Sequence, residues 1–445
     1  MIAFDERNDV IACDVLVLGA GPGGIACSVR ASARGARVVV VDRAAEPGGQ
    51  IWRHRAGTQM HGAARRWLDR FASSDVVFIG TTSVVDVSRG DDGLEVVADS
   101  SGRPLRIHAA SIVVAAGARE LFIPFEGWTL PGVMGIGGAQ ALLKSGGSFR
   151  GKRVVIAGSG PLMLPVAASM RDAGANVVLM AEQASGWRVA RFGAGLLGAP
   201  RTLLQAMTYR VRLAGIGYST STWVSCAHGD DALESVTVTN GRRTWRLETD
   251  ILCTGYGLVP NVEIAQLLGC ELRDGAIVVN ADQRTSVPGV FAAGECTGVG
   301  GADLALVEGE LAGYAATDGD APRVLRTSGS AHKLAAARMR RAFAPRAELR
   351  GITTATTVVC RCEDVRYGAL RGLASSRQGK LYTRAGMGPC QGRTCMASLE
   401  FLMGWKPDSV RPPLEATLLR NLLQEGATPA PLADHLNQRA EEAIR

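Results

Sequence analysis

The same order of segments occurs twice in this sequence, and the repetition restricts the possible folds more than any other feature. An apolar strand, a glycine-rich turn, a helix and a second apolar strand occupy residues 13–42 and again residues 152–182. In each half, alternating segments then lead to an apolar strand that ends on glycine, 98 or 97 positions after the first glycine of the turn. The chain is therefore predicted to be α/β, with two Rossmann-like dinucleotide-binding domains.

The first glycine-rich turn has the spacing of a dinucleotide-binding fingerprint. Gly19, Gly21 and Gly24 form G-x-G-x-x-G directly after the strand. The first glycine permits a tight turn, the second lets the backbone approach a pyrophosphate, and the third lets the helix pack on the strand. Asp42 ends the next strand, where a carboxylate can accept hydrogen bonds from a ribose. These residues are predicted to bind an adenine dinucleotide.

The second turn is less complete. Gly158 and Gly160 are present, but Met163 occupies the third glycine position. Glu182 ends the following strand, and a carboxylate there favours NAD over NADP because it repels a 2′-phosphate. Two interpretations follow: a site for an adenine nucleotide, or a fold that has kept its shape without a working ligand.

Two further segments bear on the first nucleotide site, and the second of them is predicted to close it. Gly49 and Gln50 lie in another glycine-rich turn, beside Trp52, which could lie against a flat ring or in the core. Gly294 and Glu295 follow a short apolar strand and precede a predicted helix. At such a position N–H groups can meet the polar edge of a flavin while the carboxylate holds a ribityl hydroxyl.

Four cysteines near the C-terminal end indicate a metal centre. Cys360 and Cys362 form C-x-C, and Cys390 and Cys395 form C-x4-C after 27 intervening residues. Four thiolates can hold an iron–sulfur cluster or structural zinc, and the wide spacing favours a [2Fe–2S] cluster because zinc pairs are usually closer. The glycines around the second pair would let backbone N–H groups approach the cluster sulfides.

Composition excludes several classes of protein. The net charge is +7, but no DNA-binding motif or basic face with interleaved aromatics accompanies it, so nucleic acid is not an expected partner. No apolar run is long enough for a membrane span, and the charged N-terminus is unlike a secretory signal. Ten cysteines in 445 residues suit a reducing compartment, and a cytoplasmic location is expected. The histidines form no recognisable catalytic cluster with acids, and no catalytic residue is assigned.

The motifs GAGPGG, VVVVD, PGGQ, VVAAG, LPGVMG, GSGP and VFAAGECTG together resemble those of flavoprotein reductases of the glutathione and thioredoxin reductase type. With CRCEDV and GMGPCQGRTC, the chain more closely resembles the flavin-containing alpha subunits of heteromeric amine and amino-acid dehydrogenases. These include D-hydroxyproline dehydrogenases, octopine and nopaline oxidases and hydrogen cyanide synthase. The resemblance covers about residues 14–402. A disulfide reductase is excluded because neither nucleotide-binding half contains a redox C-x-x-C or C-x4-C pair.

The resemblance implies cofactors and the residues that bind them. FAD is expected in the first site, and NAD or ATP is a candidate ligand of the second, at Gly158, Gly160 and Glu182. A [2Fe–2S] cluster is expected on the four cysteines, and FMN is a candidate at an interface between subunits. The FAD-binding residues implied are Gly19, Gly21, Gly24, Asp42, Gly49, Gln50, Gly117, Gly294 and Glu295, of which Glu295 departs from the aspartate that is usual there.

The predicted domains follow the same pattern. Residues 1–145 and 256–322 would form a discontinuous FAD-binding domain around a second dinucleotide-binding domain at 146–255. Residues 323–351, with seven arginines and one lysine against one acid, are predicted to be a basic linker with a short helix or a docking strip for an acidic partner. Residues 352–445 would form a small [2Fe–2S] domain with a helical tail.

The principal hypothesis is an electron-transferring alpha subunit. A flavoprotein beta subunit would oxidise a secondary amine or imino acid of the D-hydroxyproline or opine class, and this chain would conduct electrons through FAD and [2Fe–2S]. A small ferredoxin-like [2Fe–2S] subunit is a further candidate partner. The alternatives are a self-contained NADH-dependent reductase that uses Glu182, and a nucleotide-binding scaffold with structural zinc.

Overall fold

The computed structural model describes residues 3–5, 10–54, 60–90, 93–196, 200–406 and 410–422. The strands are β1 Ala3–Asp5, β2 Val10–Leu18, β3 Val38–Val41, β4 Val77–Ile79, β5 Thr82–Gly90, β6 Gly93–Ser100, β7 Arg103–Val114, β8 Ala118–Glu120, β9 Val133–Gly135, β10 Arg153–Gly158, β11 Asn176–Glu182, β12 Gly217–Thr220, β13 Trp223–His228, β14 Ser235–Thr239, β15 Thr244–Glu248, β16 Ile251–Gly255, β17 Leu258–Pro260, β18 Leu272–Arg273, β19 Ala276–Ile277, β20 Val290–Ala292, β21 Val358–Cys360 and β22 Val365–Arg366. The helices are α1 Pro22–Ser32, α2 Gly62–Ala72, α3 Ile136–Lys144, α4 Met163–Asp172, α5 Gly186–Gly195, α6 Pro200–Arg212, α7 Glu263–Leu267, α8 Ala302–Ala315, α9 Arg323–Ala342, α10 Ser376–Thr383 and α11 Cys395–Met403. Among these helices, none combines the length and the apolar character that crossing a bilayer requires.

The first sheet has the order β4-β3-β2-β7-β6-β5. Strands β4, β3, β2 and β7 are parallel, whereas β7, β6 and β5 form an antiparallel meander. All four valines of β3 are buried because layers cover both faces of a parallel sheet. On β2, Leu16 packs in the core of one face and Val17 in the core of the other. Strand β20, from far along the chain, pairs with β7 in parallel.

The second sheet, β12-β11-β10-β16-β9, is parallel throughout, and a separate antiparallel sheet of β13, β14 and β15 accompanies it. Strand β9 pairs with β16, and α3 packs in the core beside β10. The second unit, by which we mean the dinucleotide-binding domain built on this sheet, therefore includes residues from 133 onwards. It starts earlier than the predicted boundary at 146. Strand β9 was not predicted, since a three-residue strand has no usable periodicity.

The linker differs from its prediction. Instead of a short helix, α9 extends over 20 residues and packs against α8. Gly329, Lys333 and Ala336 share one face of α9, and Lys333 forms an ion pair with the buried Glu308 of α8. Periodicity missed this face because its contacting residues are small or charged, not large and apolar.

The C-terminal module has its own small core, which includes Val359 of β21, Val365 of β22 and Leu399 of α11 together with Leu370 and Trp405. Helix α10 lies beside this core, with Gly379 against the ring of Trp405. The following segment, 410–422, is not helical as predicted, apart from one 3₁₀ turn at Leu419–Asn421. It runs along the first sheet instead. Pro412 and Pro413 explain the difference, because proline removes the N–H groups that a helix interior needs. Residues 423–445, the rest of the predicted helical tail, lie outside the described residues.

The core of the second sheet provides a test of the fold. Ile156 in β10 is fully buried beside Met180 and Cys253. We expect Ile156→Ala to reduce the free energy of unfolding by about 2–5 kcal/mol, because it removes buried methyl groups and leaves a cavity. Urea denaturation of the purified chain measures this change. Leu204→Ala, at an exposed site on α6, serves as the control and should change stability by no more than about 0.5 kcal/mol. Equal effects of the two substitutions would contradict the assignment of β10 to the core.

Candidate functional site

The first glycine-rich turn lies between β2 and α1, and its backbone atoms are in close contact. A side-chain carbon on Gly24 would overlap with the carbonyl of Gly19, whereas one on Gly21 would meet nothing within 4 Å. Asp42 supports the turn from the end of β3. Its Oδ2 accepts a hydrogen bond from the N–H of Ala20 at 2.6 Å, and its Oδ1 accepts one from Ala44 at 2.7 Å. The space above Gly21 is open, and the Asp42 side chain beside it is partly exposed.

The glycine-rich turn that contains Gly49 and Gln50 lies against the first turn. Gly49 has a φ of +60°, and a side chain there would approach the Cα of Gly21 to 2.8 Å. Trp52 is 8% exposed and belongs to the core on this face of the sheet, which settles its two interpretations in favour of packing. Lys144 of α3 donates a hydrogen bond from Nζ to the carbonyl of Ile51 at 2.6 Å. The second unit thus contacts the end of this turn.

Gly294 reaches the first turn from the far end of the chain. It follows β20 with a φ of +83°, and its N–H donates to Oε2 of Glu308 at 2.9 Å. Thr297 donates to the same oxygen at 3.0 Å, and Lys333 lies 3.4 Å from Oε1. Burial raises the pKa of Glu308, while Lys333 and the two donors oppose that rise. Sequence reasoning missed Glu308, although a carboxylate within the apolar α8 segment was a usable signal.

The structure places Glu295 just before α8. Its Oε1 accepts a hydrogen bond from the N–H of Gly301 at 3.0 Å, and burial raises the pKa of the carboxyl group. The extra methylene relative to aspartate lets the side chain reach this helix terminus. Gly117 ends the strand segment after β7 with a φ of +68°, and its carbonyl accepts the N–H of Asn261 at 3.0 Å.

The second glycine-rich turn is arranged differently. A side-chain carbon on Gly158 would overlap with the carbonyl of Gly255, and Met163, the first residue of α4, is buried in the core. The Glu182 carboxylate is fully buried: Oε2 accepts from the N–H of Gly160 at 2.8 Å, and Oε1 accepts from Ala184 at 2.7 Å. Burial raises the pKa of Glu182, and these hydrogen bonds oppose the rise.

The four cysteines of the C-terminal module line one cavity of about 340 Å³ together with Trp128, Val359, Arg361 and Thr394. Cys360 and Cys395 are buried, Cys390 is partly exposed and Cys362 is exposed. The N–H of Gly386 points to the sulfur of Cys360 at 3.5 Å. In the part of the chain that the structure describes, no group of three or more His, Cys, Asp or Glu side chains is arranged to hold a metal ion. The thiols therefore surround a space and do not converge on one point.

Trp128 joins this cavity to the part of the chain that contains the two large sheets, and sequence reasoning did not identify it. The side chain is 7% exposed, and its Nε1 donates to the carbonyl of Val358 at 2.6 Å. Ser398 of α11 donates to the carbonyl of Phe122, whose ring lies 4.7 Å from that of Trp128. The segment after β8 is thus the base on which the cysteine module packs.

The remaining cysteines have no such arrangement. Five of the six are buried, and Cys226 is partly exposed. Burial raises the pKa of Cys27 to about 12 and that of Cys296 to about 12, so both stay protonated thiols at neutral pH. Apart from the partly exposed Cys226, these cysteines are therefore core thiols.

Comparison with known proteins agrees with this architecture. Residues 13–319 match the family model of pyridine nucleotide-disulphide oxidoreductases. Hydrogen cyanide synthase subunit HcnB of Pseudomonas aeruginosa is 32% identical over 419 residues, covering 86% of this chain and 90% of HcnB. One of the opine oxidase subunits of Rhizobium meliloti (strain 1021) is also 32% identical, over 444 residues that cover 90% of this chain and 96% of that protein.

Solved structures share the fold. L-proline dehydrogenase from P. horikoshii superposes with a TM-score of 0.69 at 18% identity, covering 94% of this chain and 81% of that one. Thioredoxin reductase of T. acidophilum gives 0.54 at 21% identity, covering 73% of this chain and 99% of that one. The α/β fold with Rossmann-like sheets is therefore confirmed. The chain belongs to the pyridine nucleotide-disulphide oxidoreductase family and is an FAD-dependent flavoprotein oxidoreductase.

Proposed function

We propose that this chain is the electron-transferring subunit of a heteromeric FAD-dependent dehydrogenase that oxidises a secondary amine, an imino acid or an amino acid of the D-hydroxyproline or opine class. One observation carries the proposal: a flavoprotein fold without a redox cysteine pair packs against a cavity lined by four cysteines. In this proposal the four cysteines hold the second redox centre, and electrons do not pass to a disulfide. The match to subunits of hydrogen cyanide synthase and opine oxidase supports the same class.

The first glycine-rich turn fits FAD. The open space above Gly21 can admit a pyrophosphate, and Asp42 is accessible to a ribose. Gly49, Gln50, Gly117, Gly294 and Glu295 would lie along the rest of the cofactor. FAD supplies hydride acceptance followed by one-electron release. The contribution of the protein is to hold the Gly294 backbone in place through Glu308, and to direct the α8 terminus at the cofactor through Glu295.

The cysteine cavity fits a cluster better than a single ion. Its donor set is four sulfurs around a space, and tightly packed glycines adjoin it: a side chain on Gly388 would overlap with Cys362, and one on Gly386 would reach 2.8 Å from Met396. We infer that Cys360, Cys362, Cys390 and Cys395 bind [2Fe–2S], which would transfer single electrons. Trp128 would shield the buried side of this centre.

The partner is proposed to be an amine-oxidising FAD flavoprotein, the beta subunit. FMN at the interface between the two chains and a small ferredoxin-like [2Fe–2S] protein are additional candidates. Relatives named as subunits support a heteromeric complex. On this chain, Arg338 and Arg341 of α9 are exposed and supply part of the basic strip that could attract an acidic partner.

Substitutions in the first turn separate folding from cofactor binding. We expect Gly21→Ala to leave the unfolding midpoint of the flavin-free chain within experimental error but to reduce bound FAD at least tenfold, because its new methyl group enters the space for the pyrophosphate. Gly24→Ala should lower both stability and FAD content, because its methyl group would overlap with Gly19. Flavin absorbance per chain and thermal unfolding measure the two effects. Full FAD occupancy in Gly21→Ala would contradict this placement of the cofactor.

Replacement of a proposed ligand tests the cluster. Anaerobically purified protein should contain about two irons per chain, and Cys395→Ser should lose nearly all of the iron and the associated visible absorbance. Cys226→Ser is the matched control, since this cysteine is partly buried but lies in the second unit, and its iron content should stay unchanged. Zinc in place of iron in the unsubstituted protein would support the scaffold alternative instead.

The division of labour between the chains of the complex can be measured directly. The isolated chain loaded with FAD should show no oxidation of D-hydroxyproline or opines in a dye-reduction assay. The complex with its co-purifying flavoprotein should be active, and Cys395→Ser in this chain should slow electron delivery to the acceptor at least tenfold without stopping flavin reduction in the partner. Amine oxidation by the isolated chain would contradict the proposal, and rapid flavin bleaching by NADH alone would favour the self-contained reductase.

A further inference from the structure

The second nucleotide cradle, formed by Gly158–Gly160 and the end of β11, is covered by a segment of the same chain. We propose that residues 343–346, which follow α9, occupy this cradle and exclude NAD and ATP, so that nucleotide binding and docking of the segment are mutually exclusive. This inference does not depend on the proposed function, because it concerns a site that the proposed electron path does not use.

The corresponding first cradle is formed by Gly19–Gly21 and the end of β3, and the two cradles differ at their second glycine. At the second glycine of the first turn, Gly21, a side-chain carbon would meet nothing within 4 Å. At the equivalent Gly160, it would meet the Phe343 side chain, with Cγ at 3.6 Å and Cβ at 3.7 Å. This is the position where a dinucleotide places its pyrophosphate. The aromatic ring of Phe343 therefore lies where the phosphates would need to be.

Hydrogen bonds hold the segment in place from both sides of the cradle. Ser159, the middle residue of the turn, donates its hydroxyl to the carbonyl of Phe343 at 2.8 Å. Gln183 follows β11 and is fully buried; its Nε2 donates to the carbonyl of Ala344 at 3.2 Å, and its Oε1 accepts the N–H of Arg346 at 3.1 Å. Hydrogen bonds from the turn and from the end of β11 thus fix the backbone of this segment against the cradle.

Ring contacts add to this docking. Phe192 of α5 meets Phe343 edge to face, with 5.1 Å between the ring centroids and 72° between the ring planes. The guanidinium of Arg346 lies over the ring of Trp223, 5.2 Å from its centroid. Such aromatic and cation–π contacts stabilise packing beyond the area they bury.

The acidic residues of the two cradles differ in the same sense. Both carboxylates have their two oxygens bonded to backbone N–H groups, but Asp42 is partly exposed whereas Glu182 is fully buried. In the observed conformation a ribose hydroxyl would therefore meet an accessible carboxylate at Asp42 but not at Glu182. The residues of this cradle therefore do not fit NAD or ATP in the observed conformation, and the predicted nucleotide role of Gly158, Gly160 and Glu182 is not supported by the geometry.

Residues 343–346 are also connected along the chain to the cysteine module. The segment begins after α9 and is followed by the 3₁₀ helix Ala347–Ile352 and then by Thr353, which donates to the carbonyl of Pro124 at 2.6 Å where the cysteine module packs. A nucleotide that displaced residues 343–346 would therefore pull on the connection to that module. By linkage, the factor by which a bound nucleotide would weaken docking of the module equals the factor by which the docked module would weaken nucleotide binding.

Binding measurements on the full chain test the proposal. Isothermal titration with NADH and, separately, with ATP should detect no saturable binding to the unsubstituted protein up to about 1 mM. Phe343→Ala should bind at least one of the two nucleotides at least tenfold more tightly, and Gln183→Ala should give a smaller gain, because it removes hydrogen bonds but keeps the ring. Leu334→Ala, at an exposed position of α9, is the matched control and should behave as the unsubstituted chain.

Two results of these binding measurements would overturn the proposal. Micromolar binding by the unsubstituted chain with no change in Phe343→Ala would overturn the proposal. The proposal would also be overturned if neither Phe343→Ala nor Gln183→Ala bound a nucleotide while their flavin content and thermal unfolding showed them to be folded. Hydrogen exchange gives a measurement that needs no variant. The amide of Arg346 should be protected in the unsubstituted chain, and exchange at the rate of an open loop would show that the segment is not docked.

Discussion

Close packing between α1 and α8 is the contact on which the rest of the structure depends. It is possible because α8 presents glycine where the two helices touch: a side chain on Gly309 would overlap with the carbonyl of Gly23, and one on Gly313 would lie 2.6 Å from that of Cys27. Through this contact a helix from beyond residue 300 lies directly under the first glycine-rich turn. Gly294 and Glu295 reach the predicted flavin site for this reason, and α9, which follows α8, starts from a fixed position.

Buried carboxylates organise the loops around both cradles. Glu308 bonds the Gly294 backbone and pairs with Lys333, Glu295 bonds the N-terminus of α8, and Glu182 bonds its own turn. Burial raises the pKa of each. Backbone N–H donors oppose the rise at Glu295 and Glu182, whereas at Glu308 the charge of Lys333 opposes it first and the hydrogen-bond donors add to that effect. Only the first cradle keeps an accessible acid, Asp42. The first of the two repeated cradles is thus accessible to a ligand and the second is not. This difference favours a single flavin site and electron entry from outside the chain.

Local signals in the sequence were sufficient for much of the architecture. The glycine spacing after β2 and β10, the apolar strands and the alternating segments predicted both sheets, because these patterns report on contacts between residues near one another in the chain. The early strand β9, the length of α9 and the extended path of residues 410–422 were not predicted. In each case the deciding contact is distant: β9 pairs with β16, Lys333 with Glu308, and Thr417 with Asp99 across the first sheet.

The sequence by itself determined the fold class, the first nucleotide turn and the four cysteines, since these depend on residue type and spacing. Only the tertiary structure decided what surrounds them. The cysteines line one cavity because Trp128 and Ser398 fix the module to the body, and the second cradle is filled because α9 ends where Phe343 can cover Gly160. A motif of glycines and an acid specifies a backbone shape, but whether that shape is open depends on a segment more than 150 residues away, which no local pattern encodes.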